Sequence, residues 1–318
     1  MNKYIGEKIS VCLLTYNHVK AIESTLQSIL DQTITGYEVI VSDDCSTDGT
    51  WERILELAAK DARIQSIRTP HNMGMPGNAN FAVSQSIRPY IALLHHDDLY
   101  RKDLLEKWAD ILERYDDVSF VFNPYDSANA EHHYGPRLSE EHLDGHWFLE
   151  KCLFALPWTC PVRGTAMIRR SWWDRVGGMR EEFSLVADVD LWMRLSSVSP
   201  VGYVPEPLIH PRELRPDYYP DIYTSKRFHW SRLVLIYEIN ATNRLNYLNL
   251  NTFKGRLQWW GFRLKLNWQS TKWLVYAVVR RKRRHEIIAS SCESVTEYDL
   301  WPLRAFRHTL QFIWKLTH

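Results

Sequence analysis

Glu38-Val39-Ile40-Val41-Ser42-Asp43-Asp44-Cys45-Ser46, residues 38–46, is a short apolar run that stops abruptly on two carboxylates. Three consecutive β-branched residues without polar alternation are the texture of a strand covered on both faces, as in a parallel sheet wrapped by helices. Upstream, Ile9-Ser10-Val11-Cys12-Leu13-Leu14 is a second such run and ends on Thr15-Tyr16-Asn17. Between the two, Ile22, Leu26, Ile29 and Leu30 recur at helical spacing and predict an amphipathic helix. Downstream the alternation continues. A helix with the stripe Trp51, Ile54, Leu55 and Ala58 is expected, capped by Ser46 or Thr47. A strand over 64–67, a helix over 80–86 and a strand over 90–94 follow, the last ending on His95-His96-Asp97-Asp98. A helix over 104–115 and a strand over 118–122 complete the series.

This alternation with short connections predicts an α/β fold built on a mostly parallel sheet flanked by helices. Ligands of such sheets bind outside the carboxyl ends of the strands. Residues 15–17, 43–44 and 95–98 are therefore expected on one edge, which locates a site from topology alone. Residues 123–144 lose periodicity and read as a long loop. Residues 147–220 hold a strand over 165–168 and a helix over 188–195. Beyond them, 223–248, 253–284 and 295–316 read as helices rich in Trp, Tyr and Arg, so the expected organisation is a catalytic domain over 1–220 and a helical region over 221–318.

The bulk numbers bound the function. The chain has 318 residues, 45% hydrophobic and 24% charged, with a net charge of +1, which is a globular composition. Five dispersed cysteines with no pair at metal-ligand spacing read as reduced thiols, not as a disulfide framework or a zinc site. No signal-peptide core opens the chain, and no run of about 18–20 apolar residues predicts a membrane span. A cytoplasmic protein is expected.

Asp97-Asp98 at the end of an apolar strand is the sharpest chemical signal. Departure of a diphosphate needs its charge stabilised, and a hard divalent cation held by one or two carboxylates and phosphate oxygens does this. The competing reading is an acidic pair capping a helix from Leu99 onward. Asp43-Asp44 is suited to accept the imide N–H of a uracil or thymine ring, or a ribose hydroxyl; the competing reading is a turn with a helix cap.

Taken in order, these segments resemble family 2 glycosyltransferases. The resemblance is carried by 9–17, Ser28-Ile29-Leu30-Asp31-Gln32-Thr33, 38–50, Asn72-Met73-Gly74 to Asn80, and 90–98. It continues through Gly164-Thr165-Ala166-Met167-Ile168-Arg169-Arg170, Val176-Gly177-Gly178-Met179 and Asp188-Val189-Asp190-Leu191-Trp192-Met193-Arg194-Leu195, so that it spans roughly 8–210. It implies the GT-A nucleotide-sugar fold and transfer with inversion at the anomeric carbon. It implies that Thr15, Tyr16, Asn17, Asp43 and Asp44 bind the nucleotide and that Asp98 lies at the diphosphate. It implies that Asp97 holds Mn²⁺ or Mg²⁺ and that Asp188 is the general base. Two departures stand out: His95 occupies the position of a common metal-side Asp, so His95 joins Asp97 as a candidate ligand and Mn²⁺ gains ground, and Ala187 replaces an acidic residue before the base. The basic segment His210, Arg212 and Arg215 is expected to close over the diphosphate or to be a solvated loop; Arg212 is the candidate contact.

The expected donor is a nucleotide sugar, a UDP-sugar ahead of dTDP- or GDP-sugars, and the acceptor a saccharide, free or lipid-linked. The aromatic and basic stretch 259–284, ending in Arg280-Arg281-Lys282-Arg283-Arg284, predicts peripheral contact with the inner face of an anionic membrane. No nucleic-acid recognition module accompanies the basic run. The alternatives are a sugar nucleotidyltransferase, which calls for a Gly-rich basic loop after the first strand, and a catalytically silent binding protein of the same fold.

Overall fold

The computed structural model describes residues 4–126, 138–155, 160–211 and 226–279. The chain divides into two compact units, Met1–Pro216 and Asp217–His318. The first opens with β1 (Ile9–Thr15), α1 (Ile22–Leu30), β2 (Glu38–Asp43), α2 (Thr50–Ala58), β3 (Ile64–Arg68), α3 (Gly74–Ser84) and β4 (Tyr90–His95). It continues through β5 (Asp98–Tyr100), α4 (Leu104–Arg114), β6 (Phe120–Phe122), β7 (His142–Leu143), α5 (Gly145–Phe148) and β8 (Ala166–Arg169). It closes with α6 (Arg170–Val176), α7 (Ala187–Ser196), β9 (Val201–Tyr203) and β10 (Ile209–Pro211).

The main sheet runs β3-β2-β1-β4-β8-β6-β9-β7. Its first four strands are mutually parallel, and β8 lies antiparallel between β4 and β6. Every residue of β1 is buried, which explains why the run is apolar without alternation. Ile9, Val11 and Leu13 pack with Val39, Val41 and Ala92 in one cluster that also takes in Trp108 and Leu104 of α4. The chain leaves β1 toward β2 and β3, then crosses back to place β4 on β1's other side. That reversal opens a crevice at the carboxyl ends of β1 and β4.

Some local expectations are corrected. The acidic pair caps no helix: Asp98–Tyr100 is a strand, antiparallel to β10, and α4 begins only at Leu104. Neither Ser46 nor Thr47 caps α2. Gly49 at φ 95° precedes the helix, and Asp48 Oδ1 accepts from the Thr50 N–H at 3.0 Å. α3 starts at Gly74, six residues before the expected 80, because Gly74, Pro76 and Gly77 mask a helix that tolerates proline in its first turn. Gly77 is needed there, since a Cβ would sit 2.7 Å from Met73 Cβ.

The second unit holds α8 (Lys226–Tyr247) and α9 (Phe253–Val279). Arg244 lies over the Phe262 ring at 4.6 Å between them. The helix expected over 295–316 lies outside the described residues. No described helix is long and apolar enough to cross a membrane.

Candidate functional site

The parallel register sets Thr15 beside Asp43 at the carboxyl ends of β1 and β2. Both side chains are buried, and each keeps one oxygen, Thr15 Oγ1 and Asp43 Oδ1, without a hydrogen-bond partner among the described residues. Asp43 Oδ2 is occupied, accepting from the Ser46 N–H at 3.0 Å and facing Arg68 Nε at 3.2 Å. Burial raises the Asp43 carboxyl above the usual carboxylate range; Ser46 and Arg68 oppose it. An orphaned buried oxygen costs about 1–3 kcal/mol, so two side by side at a sheet edge mark a place where a ligand donates and accepts.

The loops around this pair are fastened by residues that the resemblance assigns to binding. Asn17, in the left-handed region at φ 53°, accepts from the Thr47 N–H at 2.8 Å through Oδ1, while its own N–H donates to Ser46 Oγ at 2.9 Å. Asp44 Oδ1 accepts from the Met73 N–H at 2.7 Å and from Thr69 Oγ1 at 3.0 Å. Its carboxylate thus ties down the segment entering α3. Tyr16 is partly exposed on the same loop, and its carbonyl accepts from His18 Nδ1 at 2.8 Å.

At the end of β4 the histidines separate into two roles. His96 Nδ1 donates to the Leu14 carbonyl at 2.8 Å, and its ring lies 3.4 Å from that of His18. Burial, then the proximity of His18, pushes His96 down to about 3, so its imidazole is neutral at ordinary pH. Burial also acts to raise the Asp97 carboxyl, but the imidazoles of His96, His95 and His18 outweigh it and hold Asp97 below the usual range. Asp97 is therefore a carboxylate. Asp98 faces the other way: its buried Oδ2 accepts from Tyr125 Oη at 3.0 Å, and Tyr125 Oη lies 2.6 Å from Thr165 Oγ1.

Asp188 is the second residue of α7, where the helix dipole favours an anion. A Cβ built on Gly164 would lie 3.3 Å from Asp188 Oδ2 and 3.1 Å from His95 Nε2, so these two side chains share one small space. Two residues on, Asp190 is fully buried and bonds Arg194 Nε at 2.7 Å. Arg194 in turn donates to the carbonyls of Val176 at 2.6 Å and Gly178 at 2.7 Å. Asn80 exchanges two 2.9 Å bonds with the main chain of Met179, linking α3 to the same turn.

Arg212 and Arg215 lie outside the described residues; His210 pairs with Asp126 at 2.9 Å. The sequence assigned no role to His18, His96, Arg68, Tyr125 or Gly164, and only His96, beside Asp97, and Gly164, at the head of a family-like segment, carried a signal. Among the described residues no three His, Cys, Asp or Glu side chains could enclose a metal by themselves. One ionised carboxylate at a strand end fits a cation that takes its other ligands from phosphate oxygens.

The sequence profile of glycosyl transferase family 2 matches residues 10–177. The chain belongs to that family. Family members similar to it include the putative teichuronic acid biosynthesis glycosyltransferase TuaG of Bacillus subtilis, 37% identical over 118 residues, covering 37% of this chain and 46% of TuaG. Another is the UDP-Glc:alpha-D-GlcNAc-diphosphoundecaprenol beta-1,3-glucosyltransferase WfgD of Escherichia coli, 26% identical over 144 residues, covering 45% of this chain and 56% of WfgD. The chain thus spans about half the length of these curated relatives. Among solved structures, S. aureus TarS 1-349 in complex with UDP-GlcNAc superposes with a TM-score of 0.59 at 19% identity, covering 76% of this chain and 67% of that one. The mannosyltransferase PcManGT from Pyrobaculum calidifontis, in complex with GDP-Man and Mn²⁺, gives 0.55 at 15% identity, covering 91% of this chain and 87% of that one. These likenesses fix the fold as GT-A.

Proposed function

We propose that the chain is an inverting glycosyltransferase that moves a sugar from a nucleoside-diphosphate sugar to a hydroxyl of a lipid-linked saccharide. The observation that carries this reading is the orphaned pair Thr15 Oγ1 and Asp43 Oδ1 at one sheet edge, together with the Asp188 carboxylate beside Gly164 and His95 at the end of β4. The pair supplies a hydroxyl and an acceptor oxygen for the hydrogen-bonding groups of a base or ribose. Asp188 accepts the proton of the acceptor hydroxyl as that oxygen bonds to C1 on the face opposite the diphosphate; the C1–O bond breaks and its electrons leave with the diphosphate. A divalent cation, Mn²⁺ or Mg²⁺, would be held by Asp97 and would stabilise the charge of the departing diphosphate. Asp44, Asn17 and Asp98 act by fastening the loops that carry these groups.

A UDP-sugar is favoured because TarS binds UDP-GlcNAc and WfgD uses UDP-Glc, and a lipid-linked acceptor because WfgD acts on a diphosphoundecaprenol substrate. The loop after β1 is bonded to residues 46–50 and has no Gly-rich stretch, which disfavours a nucleotidyltransferase. The full chain, screened against UDP-, dTDP- and GDP-sugars with Mn²⁺ or Mg²⁺, is expected to release nucleoside diphosphate slowly from one of them. Neither turnover nor metal-dependent binding with any donor would sink the proposal.

The acceptor's lipid places the reaction at the inner face of a membrane, and α9 supports contact there. Phe253, Leu257, Trp260, Leu264 and Trp268 are all exposed, and their spacing puts them on one helical face. Gly255, Phe262 and Leu266 on the opposite face are buried. Lys254 and Lys265 border the apolar stripe on one side and Arg256 and Arg263 on the other, and α9 contains no acidic residue. Such a face suits an anionic bilayer, where each basic residue contributes about 1 kcal/mol. Leu257→Glu with Trp260→Glu is expected to lower co-sedimentation of the full chain with phosphatidylglycerol-containing vesicles at least ~10-fold. Equal recovery of variant and wild type removes this contact from the proposal.

A further inference from the structure

We infer that His95 works on the acceptor side of the reaction, its Nε2 hydrogen-bonding the incoming hydroxyl alongside Asp188 and not holding the cation with Asp97. The inference rests on the transferase reading above and assigns a residue that reading leaves without a role. Its first support is the anchoring of His95. The His95 N–H donates to Tyr100 Oη at 2.8 Å, and the same hydroxyl donates to the His95 carbonyl at 2.7 Å. Tyr100 is buried, and its N–H is held by Ser28 Oγ at 3.2 Å. The residue's main chain is thus fixed on both sides by one core tyrosine.

The second support is that His95 Nε2 is buried and has no hydrogen-bond partner among the described residues. Burial without a partner is costly, and it is retained where a ligand satisfies the group. The third is Gly164, whose φ of +82° disfavours any side chain. A Cβ there would meet His95 Cε1 at 2.7 Å, Nε2 at 3.1 Å and Asp188 Oδ2 at 3.3 Å. The absence of that one carbon lets the His95 ring pack against Gly164 and keeps an imidazole nitrogen and the Asp188 carboxylate oxygen close to the same glycine.

A hydroxyl suits such a donor and acceptor pair because it carries one hydrogen and two lone pairs. It gives its hydrogen to Asp188, accepts from Nε2–H on one lone pair and attacks C1 with the other. His95 keeps its own proton throughout, and the proton released in the reaction resides on Asp188. The imidazole therefore aims the nucleophile, and it contributes nothing to nucleotide or cation affinity.

The test compares wild type, His95→Ala and His95→Gln, all as the full chain, by three readouts. Mn²⁺-dependent affinity for UDP is expected to stay within about twofold in both variants. Spin-echo modulation from a directly bound ¹⁴N is expected to be the same in the Mn²⁺·UDP complexes of wild type and His95→Ala. Turnover of the sugar nucleotide returned by the screen is expected to fall roughly 10- to 100-fold in His95→Ala, through loss of the hydrogen bond that aims the nucleophile. It should recover in His95→Gln, whose amide reaches the same place. A ~10-fold loss of Mn²⁺·UDP affinity, or a ¹⁴N signal that disappears with the imidazole, would make His95 a metal ligand and overturn the inference. Wild-type turnover in His95→Ala overturns it equally. A wild-type protein that binds no nucleotide with Mn²⁺ refutes the transferase reading itself, a distinct outcome.

Discussion

Asp188→Asn is expected to cut sugar transfer by about 10²- to 10⁴-fold while nucleotide binding stays unchanged. The amide keeps the shape of the side chain and its place at the start of α7, but it cannot take a proton from an attacking hydroxyl. Asp188 lies beside Gly164 and His95 and is bonded to neither Thr15 nor Asp43 in any described contact, so its loss leaves the groups proposed for the base and ribose in place. Single-turnover rates and calorimetric nucleotide affinity, measured on the same preparation, separate the two effects. Transfer that survives the substitution would reassign the base, and a parallel loss of nucleotide affinity would make Asp188 a binding residue instead.

The largest effect on stability is expected at Asp190, two residues further along α7. Its carboxylate is fully buried and bonds Arg194, and Arg180 approaches its other oxygen at 3.4 Å. Burial lowers the proton affinity of Arg194, and Asp190 offsets that fall. Asp190→Ala would strand a buried guanidinium, which costs about 3–5 kcal/mol. For a unit of this size that corresponds to a drop in Tm of about 10 °C. Asp190→Asn, which keeps the shape and a hydrogen-bond acceptor, should lose less. Thermal melts of the full-length variants decide the matter, and a loss below about 1 kcal/mol would show that the pair is not a stabilising unit. Because Arg194 also holds the carbonyls of Val176 and Gly178, and Asn80 holds Met179, the same substitution should loosen Asp188 relative to α3. Activity should therefore fall at temperatures where the protein remains folded.

Much of the architecture was legible because its physics is local. Strands β1, β2 and β4 are apolar runs ending on polar residues, and their helices carry clear stripes such as Ile22, Leu26 and Ile29. Where the sequence misled, a local signal was overridden by tertiary contacts. A helix cap was the competing reading of Asp97-Asp98, yet β5 forms there because β10, more than a hundred residues away, pairs with it. The start of α3 was hidden by Gly and Pro residues that sequence reasoning treats as breakers. The antiparallel insertion of β8 between β4 and β6 left no mark that periodicity could read.

By itself the sequence determined the family, the parallel half of the sheet and the edge on which the polar clusters meet, because strand burial and order along the chain depend on short-range pattern. Only the tertiary structure decided what each polar residue does there. Asp43 and Asp44 are neighbours in sequence, but one keeps an unpartnered buried oxygen among the described residues while Oδ1 of the other holds Met73 and Thr69. His95 and His96 are neighbours too, yet one faces Gly164 and Asp188 while the ring of the other lies tilted against that of His18. Adjacent residues on a strand point to opposite faces, and what each meets is supplied by segments remote in the chain.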